Sequence, residues 1–82
     1  MKKFKSLKDP ISVGDAATIS IGSDRYSAHI GQKSQSQQTL VAVYEKGGDA
    51  KTFRWSKTRK AWVSGNYFLS VGHAEDYRDP SF

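Results

Sequence analysis

The stretch ATISIGSDRYSAHI, from Ala17 to Ile30, decides the fold class of this 82-residue chain. Apolar and polar side chains alternate on both sides of its centre, and alternation with a period of two is typical of a β-strand with one buried face. The central residues GSDR, at positions 22–25, are rich in turn formers. Two strands this close in sequence form an antiparallel hairpin.

The rest of the chain repeats this pattern at short intervals. Further strands are expected at Leu40–Tyr44, Lys51–Trp55, Ala61–Val63 and Tyr67–Val71. The segment LVAVY at positions 40–44 is continuously apolar, which predicts a strand buried on both faces. No segment has a helical period. The sequence therefore predicts an all-β fold, a small SH3-like barrel of five or six short antiparallel strands.

The length of the chain is sufficient for one domain only. We expect a single domain over residues 1–82, with residues 1–10 as a flexible basic arm and residues 11–82 as the β-barrel. The segment QKSQSQQT, from Gln32 to Thr39, contains no apolar residue. It predicts a solvated, mobile loop between two strands.

Charge is distributed unevenly between the two ends of the sequence. The arm contributes Lys2, Lys3, Lys5 and Lys8, whereas Glu75, Asp76 and Asp79 lie near the C terminus. This distribution predicts a dipolar molecule. The final residues also include apolar rings, and we expect these to pack back onto the barrel: Tyr77, Pro80 and Phe82.

The composition argues against several locations and covalent frameworks. Without Cys the chain has neither a disulfide framework nor a Cys-ligated zinc site, and a reducing compartment is the default, so we expect a cytoplasmic protein. The basic N terminus lacks an apolar run of signal-peptide length. No segment approaches the ~20 apolar residues of a membrane span, so no membrane association is expected.

Catalytic and cofactor sites are not expected either. The chain has no Cys, two His and no G-x-S-x-G nucleophile motif. Its glycines form neither a phosphate-binding P-loop nor a dinucleotide fingerprint. Metal-ligating residue types gather near the C terminus at no recognised spacing: His73, Glu75, Asp76 and Asp79. We therefore predict a protein that is not an enzyme and that holds no metal or cofactor.

The clearest functional signal is the segment FRWSKTRKAW, from Phe53 to Trp62, which contains three aromatic and four cationic side chains and no acidic one. The net charge of +5 and the pI near 9.6 favour a polyanionic partner. Cationic side chains bind phosphates, and aromatic rings stack on bases. We therefore predict a basic hairpin that binds nucleic acid weakly and without sequence preference, assisted by the N-terminal lysines. Its candidate residues are Lys51, Arg54, Trp55, Lys57, Arg59, Lys60 and Trp62.

Two alternatives stay open. In a chain with few aliphatic side chains, the aromatic residues of the hairpin can be core residues, which leaves a cationic rim that holds phosphates without reading sequence. Whether Phe53, Trp55 and Trp62 are core or surface is therefore open. The chain can also be a phage-type interaction module that binds a host or virion protein through an exposed sheet edge or an aromatic patch.

Three segments cover most of the chain outside the arm and the polar loop: VGDAATISIGSDRYSAHI (Val13–Ile30), TFRWSKTRKAWVSG (Thr52–Gly65) and LSVGHAEDYRDPSF (Leu69–Phe82). They resemble a group of small, poorly characterised proteins of phages and bacteria that has a GDxATxSxGSDR opening, an aromatic and basic middle, and a YxDPSF ending. The resemblance implies an SH3-like pattern and a phage or mobile-element context. It assigns no catalytic residue. The polar, Gln- and Ser-rich loop of this chain departs from the pattern of the group.

Overall fold

The computed structural model describes residues 4–77. Each strand pairs with its neighbours in the sequence, and the last strand pairs with the first, so that the sheet closes into a barrel. No helix occurs within residues 4–77. The predicted all-β fold is confirmed, and the barrel is consistent with an SH3-like one. Its six antiparallel strands are β1 (Ala16–Ile21), β2 (Asp24–Lys33), β3 (Thr39–Tyr44), β4 (Ala50–Ser56), β5 (Ala61–Ser64) and β6 (Tyr67–Val71).

Glycines fix the two tightest connections of the barrel. Gly22 begins the two-residue turn between β1 and β2, and Gly65 begins the turn between β5 and β6. Their φ angles are 56° and 59°. These left-handed values cost a glycine little, and they match the turns that join twisted antiparallel strands. The turns therefore fix the register of both hairpins.

The interior is filled by alternate residues of the strands. Phe53 and Trp62 are the largest fully buried side chains, with 0% and 1% of their surfaces exposed. The expectation that LVAVY is buried on both faces is wrong. Leu40 and Ala42 are fully buried, whereas Val41 is only half-buried, because a closed barrel has a single interior and every strand turns its other face outward.

The two ends of the barrel differ in chemistry. Trp55 pairs directly with Trp62 across β4 and β5, where both strands approach one end. Three partly buried tyrosines at the opposite end follow the inward alternation of their strands and pack against the core: Tyr26, Tyr44 and Tyr67. We refer to these as the tryptophan end and the tyrosine end.

Gln37 joins three segments at the tryptophan end. Its side-chain Oε1 accepts a hydrogen bond from the Ile11 N–H (2.8 Å), and its Nε2 donates to the carbonyl oxygens of Leu7 (3.1 Å) and Asp9 (2.8 Å). Its own carbonyl oxygen accepts a hydrogen bond from Trp62 Nε1 at 2.8 Å. The expectation of a solvated loop is wrong for this residue, because its amide satisfies main-chain groups that the barrel covers.

The start of the predicted loop also differs from expectation. β2 continues to Lys33 through an irregularity in its pairing with β3 between Ile30 and Gln32. Val43 Cγ2 would lie 2.8 Å from a Cβ added at Gly31. A glycine at this bulge therefore leaves room for the valine of the neighbouring strand.

The N-terminal segment, predicted as part of a flexible arm, lies against the barrel from residue 4 onward. The Lys5 N–H donates to the carbonyl oxygen of Val71 at 2.8 Å, and Leu7 packs on the core. Lys5 Nζ forms an ion pair with Asp15 Oδ2 at 2.9 Å and donates to the Pro10 carbonyl. The Lys5 ammonium group is therefore bound by other groups of the protein.

The C-terminal segment returns along β2. The main chains of Tyr77 and Arg25 exchange hydrogen bonds of 2.7 and 2.9 Å. Tyr77 is 48% exposed, so it is not a buried residue, although its main chain pairs with β2. Thr18 Oγ1 also donates a hydrogen bond of 2.6 Å to the His73 carbonyl in the same segment. Pro80 and Phe82, which were also expected to pack back, lie outside the described residues.

We expect the substitution Gln37→Ala to lower the free energy of unfolding by about 2–4 kcal/mol, because it leaves the Ile11 N–H and two carbonyl groups without their partner. The matched control is Gln38→Ala at the exposed neighbouring position, which should change stability by less than about 0.5 kcal/mol. Urea unfolding followed by circular dichroism measures both. Equal stability of the two variants would contradict the assigned role of Gln37.

The stability of the protein should also fall in acid through Asp15. Its carboxylate accepts hydrogen bonds from the Ser12 N–H and from Lys5, and these lower the pKa of Asp15 below its ordinary value. The ionised form therefore stabilises the fold above the unfolded pKa of about 3.9, and this contribution is lost as the pH falls through the folded value. The free energy of unfolding, measured between about pH 7 and pH 2, should fall by less in Asp15→Asn than in the wild type. An equal fall in both proteins would show that Asp15 is not the cause.

Candidate functional site

The turn between β4 and β5 carries three of the predicted cationic residues at the tryptophan end. The Lys60 N–H donates to the Ser56 carbonyl at 2.7 Å, and the Arg59 N–H lies 3.2 Å from Ser56 Oγ. Lys60 has a φ angle of 54°, which reverses the chain before β5 begins. The tight turn places the exposed Lys57 and Lys60 on the same side of the barrel opening.

Trp55 forms the floor of an open groove at this end. The groove has a volume of about 500 Å³, and Lys8, Lys57 and Lys60 surround the indole ring together with Ser6 and Leu7. No carboxylate is among these lining residues. A largely apolar floor is thus bordered by three ammonium groups that come from two distant parts of the sequence. We call this feature the lysine groove.

The two tryptophans of the hairpin have different environments. Their rings meet edge to face, with centroids 4.8 Å apart and an interplanar angle of 69°. Trp62 is 1% exposed and its Nε1–H is bonded to Gln37. Trp55 is half-buried and lies open to the groove. Of the two residues predicted to stack, Trp55 alone presents a surface to a ligand.

The Gln37 contacts also position the lysine groove. They bind the carbonyl groups on either side of Lys8, those of Leu7 and Asp9. The Asp9 side chain closes the same turn by accepting a hydrogen bond of 2.7 Å from the Ser6 N–H. The main chain of the wall opposite the hairpin is therefore held by the Gln37 and Asp9 side chains, and the Lys8 side chain is exposed.

The two predicted arginines lie outside the groove. Arg54 is exposed on the outer face of β4, where it pairs with Val63 of β5. The Arg59 guanidinium carbon lies 5.4 Å from the centroid of the Phe68 ring on β6, a cation–π arrangement. Alternation explains the position of Arg54, since the residue between Phe53 and Trp55 in a strand points to the opposite face. Arg59 belongs to the turn, and its side chain reaches Phe68 from there.

Lys51 lies at the opposite end of the barrel from the groove. It pairs with Ala42 at the start of β4, and its Nζ lies 4.1 Å from the centroid of the Tyr67 ring. The predicted site is therefore divided by the fold. Trp55, Lys57 and Lys60 lie together, Arg54 and Arg59 lie on the outer face, Trp62 lies in the core, and Lys51 lies at the tyrosine end.

Charge follows the same division between the ends. Near the tryptophan end six cationic residues lie with two acidic ones: Lys5, Lys8, Lys33, Lys57, Arg59 and Lys60 with Asp9 and Asp15. Near the tyrosine end four acidic residues lie with three cationic ones: Asp24, Glu45, Asp49 and Asp76 with Arg25, Lys46 and Lys51. Among these residues, positive charge is in excess around the lysine groove. The dipole expected between the arm and the C terminus stays a prediction, because Lys2, Lys3 and Asp79 lie outside the described residues.

Sequence reasoning named the N-terminal lysines as helpers of the hairpin but did not predict which of them borders it. Leu7 and Gln37 were missed altogether, since neither belongs to a basic or aromatic pattern. The only local signal for Gln37 was its place in a Gln- and Ser-rich segment, which favours a solvated loop. Its partners are about 26 to 30 residues distant in the sequence.

Comparison with protein families, characterised proteins and solved structures found no match to this chain. The resemblance of the opening and closing motifs to phage and bacterial proteins therefore stays a prediction. Within residues 4–77, no group of three or more His, Cys, Asp or Glu side chains is placed to hold a metal ion. That same range contains no helix with the length and apolar character needed to span a membrane.

The two tryptophans should contribute differently to the free energy of unfolding. Trp62→Phe removes the donor to the Gln37 carbonyl and leaves a space in the core, so we expect a loss of about 1–3 kcal/mol in the free energy of unfolding. Trp55→Phe keeps an aromatic ring at a half-buried position and should cost less than about 1 kcal/mol. Chemical denaturation of both variants measures the difference. A larger cost at Trp55 would show that Trp55, and not Trp62, is the structural ring.

Proposed function

We propose that this protein binds nucleic acid weakly and without sequence preference at the lysine groove. The observation that carries the proposal is that the half-buried Trp55 lines one open groove together with Lys8, Lys57 and Lys60. An indole ring provides a stacking surface for a base, and the ammonium groups around it bind the flanking phosphates. A recessed platform of this kind reads the ring face of a base, which all bases share.

The geometry favours single strands over duplexes. A base reaches the Trp55 ring only when it is unstacked from its neighbours, and single strands meet this requirement at little cost. Lysine ammonium groups act as point charges that position a backbone without reading base edges. The proposed binding mode is therefore one stacked base with contacts to its neighbouring phosphates.

The arginines of the hairpin extend the positive surface beyond the groove. Arg54 and Arg59 lie on the outer face of the same strand pair, and the contact of Arg59 with Phe68 holds its charge near the surface of the barrel. A nucleic-acid strand that extends from the groove across this face would contact both guanidinium groups. We infer that they add affinity through phosphate contacts but do not form the stacking site.

A protein-interaction role is the competing proposal, and the fold limits how it could operate. Every one of the six described strands has a partner strand on both sides, so no described strand forms an edge of the sheet to which another strand would add. Such an interaction would have to use a side-chain patch. Its affinity would depend on salt less steeply than phosphate binding does.

The test is a fluorescence titration of labelled single- and double-stranded oligonucleotides at about 50 and 200 mM salt. We expect dissociation constants of about 1–100 μM for the single strand at the lower salt, which weaken at the higher salt. The double variant Lys57→Gln with Lys60→Gln should reduce the slope of log affinity against log salt by about 0.7 for each lysine removed.

The matched control is Lys46→Gln with Lys51→Gln, which removes the same charge at the tyrosine end. It should bind nearly as the wild type does, while Trp55→Leu should weaken binding by about tenfold or more. No binding at the lower salt would overturn the proposal. Equal losses in the two double variants would show attraction by net charge alone and would refute the assignment to the groove.

A further inference from the structure

The tyrosine end contains a second pocket that is separate from the lysine groove. It has a volume of about 330 Å³ and is lined by Tyr26, Ser27, Tyr44, Lys46, Asp49, Tyr67 and Asp76. Three of these residues are tyrosines from three different strands. A volume at the lower limit of small-molecule pockets suits one compact chemical group.

Two of the tyrosine rings that line the pocket lie steeply to each other. The rings of Tyr26 and Tyr44 lie edge to face, with centroids 5.8 Å apart and an interplanar angle of 83°. The face of an aromatic ring carries partial negative charge, so a cation in a pocket lined by aromatic residues is attracted where it meets a ring face. Burial raises the pKa of Tyr44 above its ordinary value, and the neighbouring Tyr67, Tyr26 and Asp49 raise it further.

An ammonium group of the protein itself already lies on one of these rings. Lys51 Nζ is 4.1 Å from the centroid of the Tyr67 ring, although Lys51 does not line the pocket. The contact shows that a cation is accommodated at this end of the barrel. It also places the Lys51 charge near the pocket, so a ligand has to be attracted by more than the rings alone.

Asp49 and Asp76 supply that additional attraction. Both carboxylates line the pocket. The Lys46 ammonium lies 3.8 Å from Asp76 Oδ2, but the Lys46 side chain is 84% exposed. Exposed ion pairs at this separation contribute little, so an incoming cation can displace Lys46 from the carboxylate.

We propose that this pocket binds an alkylated ammonium group, of the kind found in choline-like small molecules and in methylated lysine side chains. Such a group has no hydrogen-bond donors to satisfy and a charge spread over methyl surfaces, which suits a pocket lined by three tyrosines and two carboxylates. An anion would be repelled by Asp49 and Asp76 and attracted only by the largely exposed Lys46, and a neutral apolar group would gain nothing from these charges. The pocket therefore has a function distinct from nucleic-acid binding at the lysine groove.

The first experiment is an NMR titration with choline, observed at the aromatic protons of the tyrosines and compared with 3,3-dimethylbutan-1-ol. The alcohol has the same shape as choline but no charge. We expect saturable shifts at Tyr26, Tyr44 and Tyr67 with choline and affinity lower by about tenfold for the alcohol. Equal binding of the two compounds would overturn the proposal, and so would the absence of saturable shifts.

Substitutions then test the direction of the charge effect. Lys46→Gln removes a competing cation and should strengthen choline binding, whereas an anion-binding pocket would be weakened by the same change. Tyr67→Leu should weaken choline binding severalfold, and Tyr67→Phe, which keeps the ring face, should retain it. Chemical unfolding of each variant verifies that it is folded. Weaker choline binding in Lys46→Gln, or an unchanged affinity in the folded Tyr67→Leu, would refute the assignment.

A final set of three titrations distinguishes the two sources of the ligand group. A peptide with one trimethylated lysine is compared with the same peptide carrying leucine at that position and with free choline. Tighter binding of the methylated peptide than of choline would assign the pocket to modified protein tails. Tighter binding of choline would assign it to small molecules. Failure of the methylated peptide and choline alike to shift the tyrosine signals would refute the proposal.

Discussion

The contacts of Gln37 are the interaction on which the tryptophan end of this barrel depends. One side chain satisfies the Ile11 N–H and two carbonyl groups of the N-terminal segment, while its main chain binds the indole of Trp62. Buried polar groups are costly when they lack partners, so these bonds bring a loop, a terminal segment and the largest core residue into one arrangement. The floor and one wall of the lysine groove are products of that arrangement. Together with the contacts of Lys5 and Leu7 on the barrel, it holds Lys8 beside Trp55.

Closure of the sheet into a barrel separates the two candidate sites. In a barrel of six antiparallel strands, alternate loops emerge at opposite ends, so residues that are close in sequence can lie on opposite sides of the molecule. Lys51 and Lys57 belong to the same basic segment, but one contacts Tyr67 and the other borders the lysine groove. The two ligands that we propose, a nucleic-acid strand at the lysine groove and an alkylated ammonium group at the tyrosine end, would therefore not compete for one surface.

The strands could be predicted because alternation is a local property of the chain. Successive side chains in a strand point to opposite faces, so Ile19 shares neither face with the polar Thr18 and Ser20 beside it. The apolar face that contains Ile19 is therefore expected to be the interior one. The last strand, Tyr67–Val71, was therefore predicted with its observed bounds. The error at Leu40–Tyr44 has a physical reason. Valine favours strands on an exposed face as well as in a core, so an apolar run does not by itself show that both faces are buried.

The sequence by itself determined the all-β architecture, the positions of the turns and the basic, aromatic character of the hairpin, because each depends on residues within a few positions of one another. Only the tertiary structure decided that Trp62 is a core residue while Trp55 faces the groove, although both belong to one aromatic cluster. It also decided that Lys8 lies beside the hairpin and that Tyr26, Tyr44 and Tyr67 line one pocket. These relations arise from barrel closure and from the Gln37 contacts between distant segments. No local pattern encodes them, because the free energy that selects them comes from burial and hydrogen bonding across the fold.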